Sequence, residues 1–290
     1  MPTGQPFTRL CQQLTRPARS GRADLHLHTT HSDGSYPPAE VVDLARRSGL
    51  AAVAITDHDT TAGVADARAA APDGLEVIAG VEITAEHQGR ELHLLGYFVR
   101  PDDPALAAAL AQLREGRRER FRDMVERLRG RGVSVDEESL PAAGAGVALG
   151  RRTLALALQR SGRVGTVEEA FARWLRDGGP ADVPKERLPL AEAIALVRGA
   201  GGVSSLAHPP ADLTPQGLAG LRELGLQAVE VDCPGHRPAR AKELRQWAAA
   251  LRLAVTGGSD CHGPSGPRRT VGACGVTADE LAALRRLAQA

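Results

Sequence analysis

Cysteine is scarce: Cys11, Cys233, Cys261 and Cys274 are the four in 290 residues, and no two of them stand in CxxC spacing. This argues against a disulfide framework and against a thiolate zinc site, and it predicts reduced thiols. Long apolar runs are missing too. No stretch approaches the ~18 to 20 apolar residues of a membrane span, and residues 1 to 22 lack the apolar core of a signal peptide. The expectations are therefore no membrane contact and a cytoplasmic location. Net charge is only +1, which leaves the chain without the basic footprint that duplex DNA or an anionic membrane requires. Any anion must be bound locally. Lysine is nearly absent, Lys185 and Lys242 being the only two, and this reads as a coding bias toward Arg.

What is present is ordinary globular material. Hydrophobic residues make up 42% and charged residues 24%, and the length suits one β/α barrel. Residues 1 to 22 carry no acidic side chain and several Arg, Pro and Gly, so they read as a loosely ordered leader. Beyond it, short apolar runs rich in β-branched residues recur, each closed by polar residues and followed by a helix-like segment. That alternation predicts parallel β/α units. Seven runs stand out: 23 to 28 (ADLHLH), 51 to 56, 75 to 84, 92 to 99, 202 to 207, 227 to 232 and 252 to 257.

The interval from 104 to 190 is too long for a βα connection and predicts an inserted helical subdomain, leaving 23 to 103 and 191 to 290 for the barrel. Within it, Leu106, Leu110, Leu113, Phe121, Met124, Val125 and Leu128 mostly keep helical spacing. The many Arg between them read either as a solvated face or as groups reaching over the barrel mouth. Residues 139 to 150 are small and Gly-rich and predict a flexible connection.

The chemistry begins at DLHLHTTHSDGS, residues 24 to 35. His26 and His28 are two apart on a predicted strand, so both imidazoles project to the same side and can chelate one ion. The other candidate ligands also fall at the ends of the runs. Run two closes with Asp57, His58 and Asp59, run three carries Glu82, run four opens with His93, and run five closes with His208. Run seven is followed by Asp260 and His262. In barrel enzymes catalytic groups gather at the carboxyl ends of the strands, so these distant residues are expected to converge. Imidazole and carboxylate without thiolate suit Mn2+, Fe2+ or Zn2+. More than six ligands is too many for one tetrahedral site, so two or three divalent ions are expected, with Glu82 bridging a pair. Such a pair can hold a hydroxide nucleophile and stabilise the oxygens of an in-line displacement at phosphorus. Asp57 and Asp59 are expected either to orient imidazoles or to cap a helix. Cys261 is expected to pack behind the site, and Arg268 and Arg269 to lie at the surface.

DLHLHTTHSDGS, ITDHDT, GVEIT, ELHLLGY, LAHP and GSDCHG together resemble, in order, the motifs of the polymerase and histidinol phosphatase (PHP) family. The likeness runs from about residue 24 to 265 and is nearest the bacterial phosphoesterases of nucleoside 3′,5′-bisphosphates and short RNA, the latter acting as 5′-3′ exoribonucleases. It implies an α/β fold, a distorted seven-stranded (β/α)7 barrel holding up to three metals. By that resemblance His26, His28, Glu82 and Asp260 would hold the first ion. Glu82, His93 and His208 would hold the second, and Asp33, His58 and His262 the third. Asp260 is also the expected catalytic carboxylate. His236, where the family often has a His, would serve as proton relay or substrate contact. Arg151 would bind substrate phosphate, and Lys185 is either a second phosphate contact or an exposed lysine. Residues 150 to 155 read GRRTLA where the nucleotide-acting subgroup resembles GRPHxA, so Thr153 stands in place of a His.

The expected function is metal-dependent hydrolysis of a phosphate ester on a nucleotide or short RNA. A non-nucleotide monoester such as histidinol phosphate is the alternative that Thr153 keeps open. Hydrolases of carbon-nitrogen bonds also begin with HxH, but they commonly use a strand-end carboxylated Lys, and neither lysine lies at the end of a predicted strand. A non-catalytic metal-binding module is disfavoured by the complete ligand set.

Overall fold

The computed structural model describes residues 21–135, 140, 149–264 and 266–289. Nearly all of the expected leader, most of the Gly-rich connection and Cys11 lie outside these residues. Among the described residues, no helix is long and apolar enough to cross a membrane.

Three parallel strands open the fold: β1 (Ala23–Leu27), β2 (Ala52–Ile55) and the longer β3 (Glu76–His87). β1 and β2 are buried along their whole length, as parallel strands covered on both faces must be. Between the strands run α1 (Pro38–Arg47) and α2 (Gly63–Ala70). α1 starts where Pro38 can occupy the first turn, carries Glu40 at its positive end and Arg46 and Arg47 at its negative end, and buries Val41, Val42 and Ala45.

The fourth run departs from the parallel expectation. β4 (Arg90–Tyr97) is antiparallel to both β3 and β6 (Val203–Leu206). The cause is local: His87 pairs with Arg90, so only Gln88 and Gly89 form the loop, with φ of 54° and 78°. Two consecutive left-handed residues make the two-residue hairpin turn whose twist matches the strands it joins, and they leave no room for a helix. After β6 the sheet is parallel again through β7 (Ala228–Asp232) and β8 (Ala254–Gly257). The strand order is β1-β2-β3-β4-β6-β7-β8, with the two-residue β5 (Leu188–Pro189) paired to β3. A bridge from Leu27 to Cys261 brings the last segment back beside β1. The result is a nearly closed seven-stranded barrel of mixed direction. Helices α6 (Leu190–Gly199), α7 (Pro215–Glu223), α8 (Pro238–Leu251) and α9 (Ala278–Ala288) complete it.

Between β4 and β5 the chain forms α3 (Pro104–Arg129), α4 (Arg151–Arg160) and the short α5 (Val167–Ala170), which runs into one π turn, Phe171–Leu175. Asp103 caps α3 by accepting the Leu106 N–H at 3.1 Å. This helix serves two cores. Leu106, Leu110 and Leu113 pack with the barrel residues Val81, Ile83 and Val197, whereas Phe121, Met124, Val125 and Leu128 pack with Leu154, Leu158, Leu175 and Val183.

Candidate metal centre

Six of the seven barrel strands, all but β7, deliver a candidate ligand to one mouth of the barrel from within the strand or from the loop beside it. His26 lies in β1 and His28 one residue past it, both fully buried. Asp33 comes from the loop that follows. Glu82 sits midway along β3, level with His58 after β2 through a bridge between the two residues. Because β4 is antiparallel, its beginning lies at this mouth, and His93 comes from there. His208 follows β6, and Asp260 and His262 follow β8.

Glu82 is the hub. Its Oε2 lies 3.3 Å from His26 Nε2, 3.2 Å from His28 Nε2 and 3.2 Å from His58 Nδ1. Its Oε1 lies 3.0 Å from His93 Nδ1 and 3.1 Å from His208 Nε2. One carboxylate thus faces five imidazoles, three on one oxygen and two on the other. Asp260 Oδ1 lies 3.5 Å from His26 Nε2, 3.4 Å from His28 Nε2 and 3.4 Å from His262 Nδ1. Asp33 is 3.3 Å from His262, 3.8 Å from His28 and 4.0 Å from His58. All nine candidate ligands are therefore brought together. Three groups have ligand atoms mutually within 4.8 Å: His26, His28 and Glu82; His58, Glu82 and His93; and His28, Asp33, His58 and His262.

Divalent metal fits this set on chemical grounds. His26 Nε2, both ring nitrogens of His28, His58 Nδ1 and Asp33 Oδ1 are buried without a hydrogen-bond partner among the described residues. Five such atoms in one place are costly for a fold unless charge is shared among them or a cation is bound, to which each neutral imidazole can offer one ring nitrogen. The electrostatics agree. Burial would raise the Glu82 carboxyl, but the imidazoles, His58 and His26 foremost, hold it well below the usual carboxylate range. Burial works against charge on His28 and His93, yet Asp260 and Glu82 push His28 up to about 10, and Glu82 and Glu91 push His93 up to about 9. Burial takes His58 the other way, down to about 3.

A pH dependence follows. In metal-free protein, His28 and His93 carry protons at neutral pH and contribute stability that is present below about 6.5 and fades as pH rises through about 9 to 10. A metal must displace those protons, so its binding should release protons at pH 7 and tighten as pH rises. Titration calorimetry in two buffers of different ionisation enthalpy measures that release; identical heats in both would contradict it.

Three carboxylates not anticipated from the sequence support the ligands. Glu230 on β7 is fully buried, with Oε1 3.0 Å from His26 Nδ1 and Oε2 accepting the His208 N–H at 2.6 Å. Asp24 accepts N–H groups from His26, Ser259 and Gly272, and burial pushes its carboxyl up to about 6. Glu91 lies 3.3 Å from His93 Nε2. The signal was a lone acid inside a buried strand, as with Glu230 in AVEVD. Asp57 and Asp59 do not perform the roles expected of them. Asp57 accepts from Thr29 N, Thr29 Oγ1 and Ser32 Oγ and so folds the loop after β1, while Asp59 holds Thr84 N and pairs with Arg117. Cys261 is buried behind the site. Arg269 is not merely a surface group, since it pairs with Asp260.

Beside His93 opens a cavity of about 190 Å³ lined by five cations, Arg117, Arg120, Arg151, Lys185 and Arg187, and by three carboxylates, Glu91, Asp177 and Asp182. Arg151 there donates to the Leu175 carbonyl at 3.2 Å and pairs with Asp177. Lys185 donates to Glu91 at 2.7 Å. His236 lies apart from this cavity: its ring nitrogens face the carbonyls of Val231 (3.0 Å) and Pro209 (3.2 Å).

A buried His and carboxylate cluster at the mouth of a β/α barrel, next to a cationic cavity, defines a metal-dependent phosphoesterase. The PHP domain signature matches residues 24–129. The 3′,5′-nucleoside bisphosphate phosphatase of Chromobacterium violaceum is 33% identical over 86% of this chain and 90% of its own length. The phosphoribosyl 1,2-cyclic phosphate 1,2-diphosphodiesterase of Eggerthella lenta is 34% identical over 84% and 95%. A 5′-3′ exoribonuclease of Haemophilus influenzae is 32% identical over 84% and 90%. Among solved structures, one from Bifidobacterium adolescentis described as a metal-dependent phosphoesterase superposes with a TM-score of 0.84, at 33% identity over 94% of this chain and 98% of that one. The chain belongs to the PHP family.

Proposed function

We propose that this chain hydrolyses phosphate esters of nucleotides or short RNA at the nine-residue centre, with the adjoining basic cavity holding a phosphoryl group of the substrate. The observation that carries the proposal is the Glu82 hub of five imidazoles, one of which, His93, is linked through Glu91 to Lys185 and Arg187 of the neighbouring cavity. In this reading His26, His28, Glu82 and Asp260 hold one ion, Glu82, His93 and His208 a second, and Asp33, His58 and His262 a third. The ions are Mn2+, Fe2+ or Zn2+, two or three in number. Bound there, they would supply an activated water and neutralise charge on the phosphoryl oxygens. Asp260 keeps His26 and His28 in register from one side while Arg269 secures its other oxygen.

Arg151 and Lys185 hold substrate phosphate together with Arg117 and Arg187. His236 contributes by holding the turn at Pro209, next to His208. A proton-relay role would require it to leave that carbonyl. The segment from 104 to 190 acts as the subdomain that brings Arg151 to the cavity. The buried reduced thiols Cys233, Cys261 and Cys274 support a cytoplasmic setting.

The test is a substrate panel on manganese-loaded protein: nucleoside 3′,5′-bisphosphates, nucleoside monophosphates, 5′-phosphorylated short RNA and histidinol phosphate. Turnover confined to histidinol phosphate would sink the nucleotide reading. That second reading has one observation behind it, Thr153, where the nucleotide-acting subgroup has an imidazole. Within the leading reading, Lys185→Ala is expected to raise KM roughly tenfold or more, the worth of a hydrogen bond to a charged group, with a smaller change in kcat. Steady-state kinetics on the best substrate of the panel check it.

A further inference from the structure

Among the described residues, Glu91 is the one carboxylate in the cavity wall that also touches a candidate metal ligand. Its Oε1 accepts Lys185 Nζ at 2.7 Å and lies 3.3 Å from His93 Nε2, and its Oε2 accepts Arg187 Nε at 2.9 Å. His93 turns its other nitrogen to Glu82, 3.0 Å away. A carboxylate at Nε2 fixes the proton there and leaves Nδ1 with its lone pair toward the centre. On the cavity side, Glu91 supplies the negative charge that Lys185 and Arg187 face in the absence of ligand.

We propose that Glu91 is a positioning residue with two opposed effects: it orients His93 for metal, and it occupies Lys185 and Arg187 as an internal stand-in that the substrate phosphoryl group must displace. The proposal rests on the reading of the cavity as an anion site. Its consequence is selectivity by charge. A weakly charged ligand cannot compete with a carboxylate already seated on the two cations, whereas a phosphate dianion can, because it offers more charge and a third acceptor oxygen.

The two effects predict shifts of opposite sign in one variant. In E91Q the side chain keeps its size and loses its charge. Inorganic phosphate should bind the metal-free protein more tightly, by about threefold to tenfold, as its internal competitor is gone. Manganese should bind more weakly, by about tenfold, the loss typical of an outer carboxylate behind a ligating His. Glu91→Asp, which keeps the charge but shortens the reach, should weaken manganese without strengthening phosphate. Both affinities are read by titration calorimetry, with thermal melts to show that each variant is folded. Weaker phosphate binding in E91Q would overturn the stand-in role, and unchanged manganese affinity would overturn the orienting role. Lys185→Ala separates the underlying assumption. If phosphate binding ignores that substitution, the cavity is not the anion site and the proposal falls with it. If phosphate binding drops with Lys185→Ala but fails to rise in E91Q, the cavity reading survives and the proposal for Glu91 alone is overturned.

Discussion

Glu82→Gln is expected to lower kcat/KM by at least about a thousandfold, roughly 4 kcal/mol of transition-state stabilisation, and to leave the protein short of at least one metal ion. Both oxygens of Glu82 are committed: three imidazoles meet one and two meet the other, all at 3.0 to 3.3 Å. An amide has a single acceptor oxygen and turns an NH2 group toward the remaining nitrogens, which need a negative charge or a shared cation opposite them. Among the described residues no other carboxylate pairs with His93 at Nδ1, since Glu91 approaches it at Nε2 from the cavity. Kinetics and elemental analysis on the same preparation test this, with circular dichroism as the folding control. A folded variant with full metal content and turnover within a few fold of wild type would remove Glu82 from the centre.

Glu230→Gln should produce the second largest effect, and for a different reason. Glu230 is fully buried and never faces the mouth, yet it accepts from His208 N and meets His26 Nδ1. Both partners need an acceptor: His208 N is a backbone donor, and His26 must donate through Nδ1 if Nε2 is to keep a lone pair for metal. Gln satisfies one and opposes the other. Metal affinity is expected to fall by about ten- to a hundredfold. The mismatch of one buried donor should also lower stability by about 1 to 3 kcal/mol. Nitrogen NMR of His26 distinguishes this from loosened packing, because the tautomer itself should change. Retention of the wild-type tautomer with unaltered metal affinity would count against the role. His208 has φ of 27°, a left-handed conformation that the Glu230 contact helps to hold.

The barrel was legible because its strands announce themselves. Runs such as AAVAIT and QAVEVD are apolar and β-branched, and every one of the seven became a strand. The direction of β4 was not read, although the sequence carried a sign of it: His93 opens its run while the other strand-end ligands close or follow theirs. A ligand at the start of a strand reaches the same mouth only if that strand runs backward, and the Gln88-Gly89 turn supplies the reversal. β5 escaped notice because two residues carry no periodicity.

At the site, the nine candidate ligands were legible from strand-end position and from motif resemblance. Their supports were not. Glu230 was absorbed into an apolar strand, and Glu91 looked like the polar edge of β4. Arg114 and Arg117 could not be told from the other arginines of α3, since helical spacing shows which residues share a face but not what that face meets. The structure sets both on Asp59, Arg114 at its carbonyl (2.7 Å) and Arg117 at its carboxylate.

The continuity of α3 has a consequence for how this protein can vary. A single unbroken rod of 26 residues enters one apolar cluster with its first three turns and another with its last three, and Arg117 lies between. Adding or deleting one residue in that middle turn would rotate the distal half by about 100° about the helix axis. Phe121, Met124 and Leu128 would then swing out of their cluster and Arg151 would leave the cavity. Length changes should accumulate in the loops flanking the rod and be purged from its centre, so helical phase, more than residue identity, constrains this stretch.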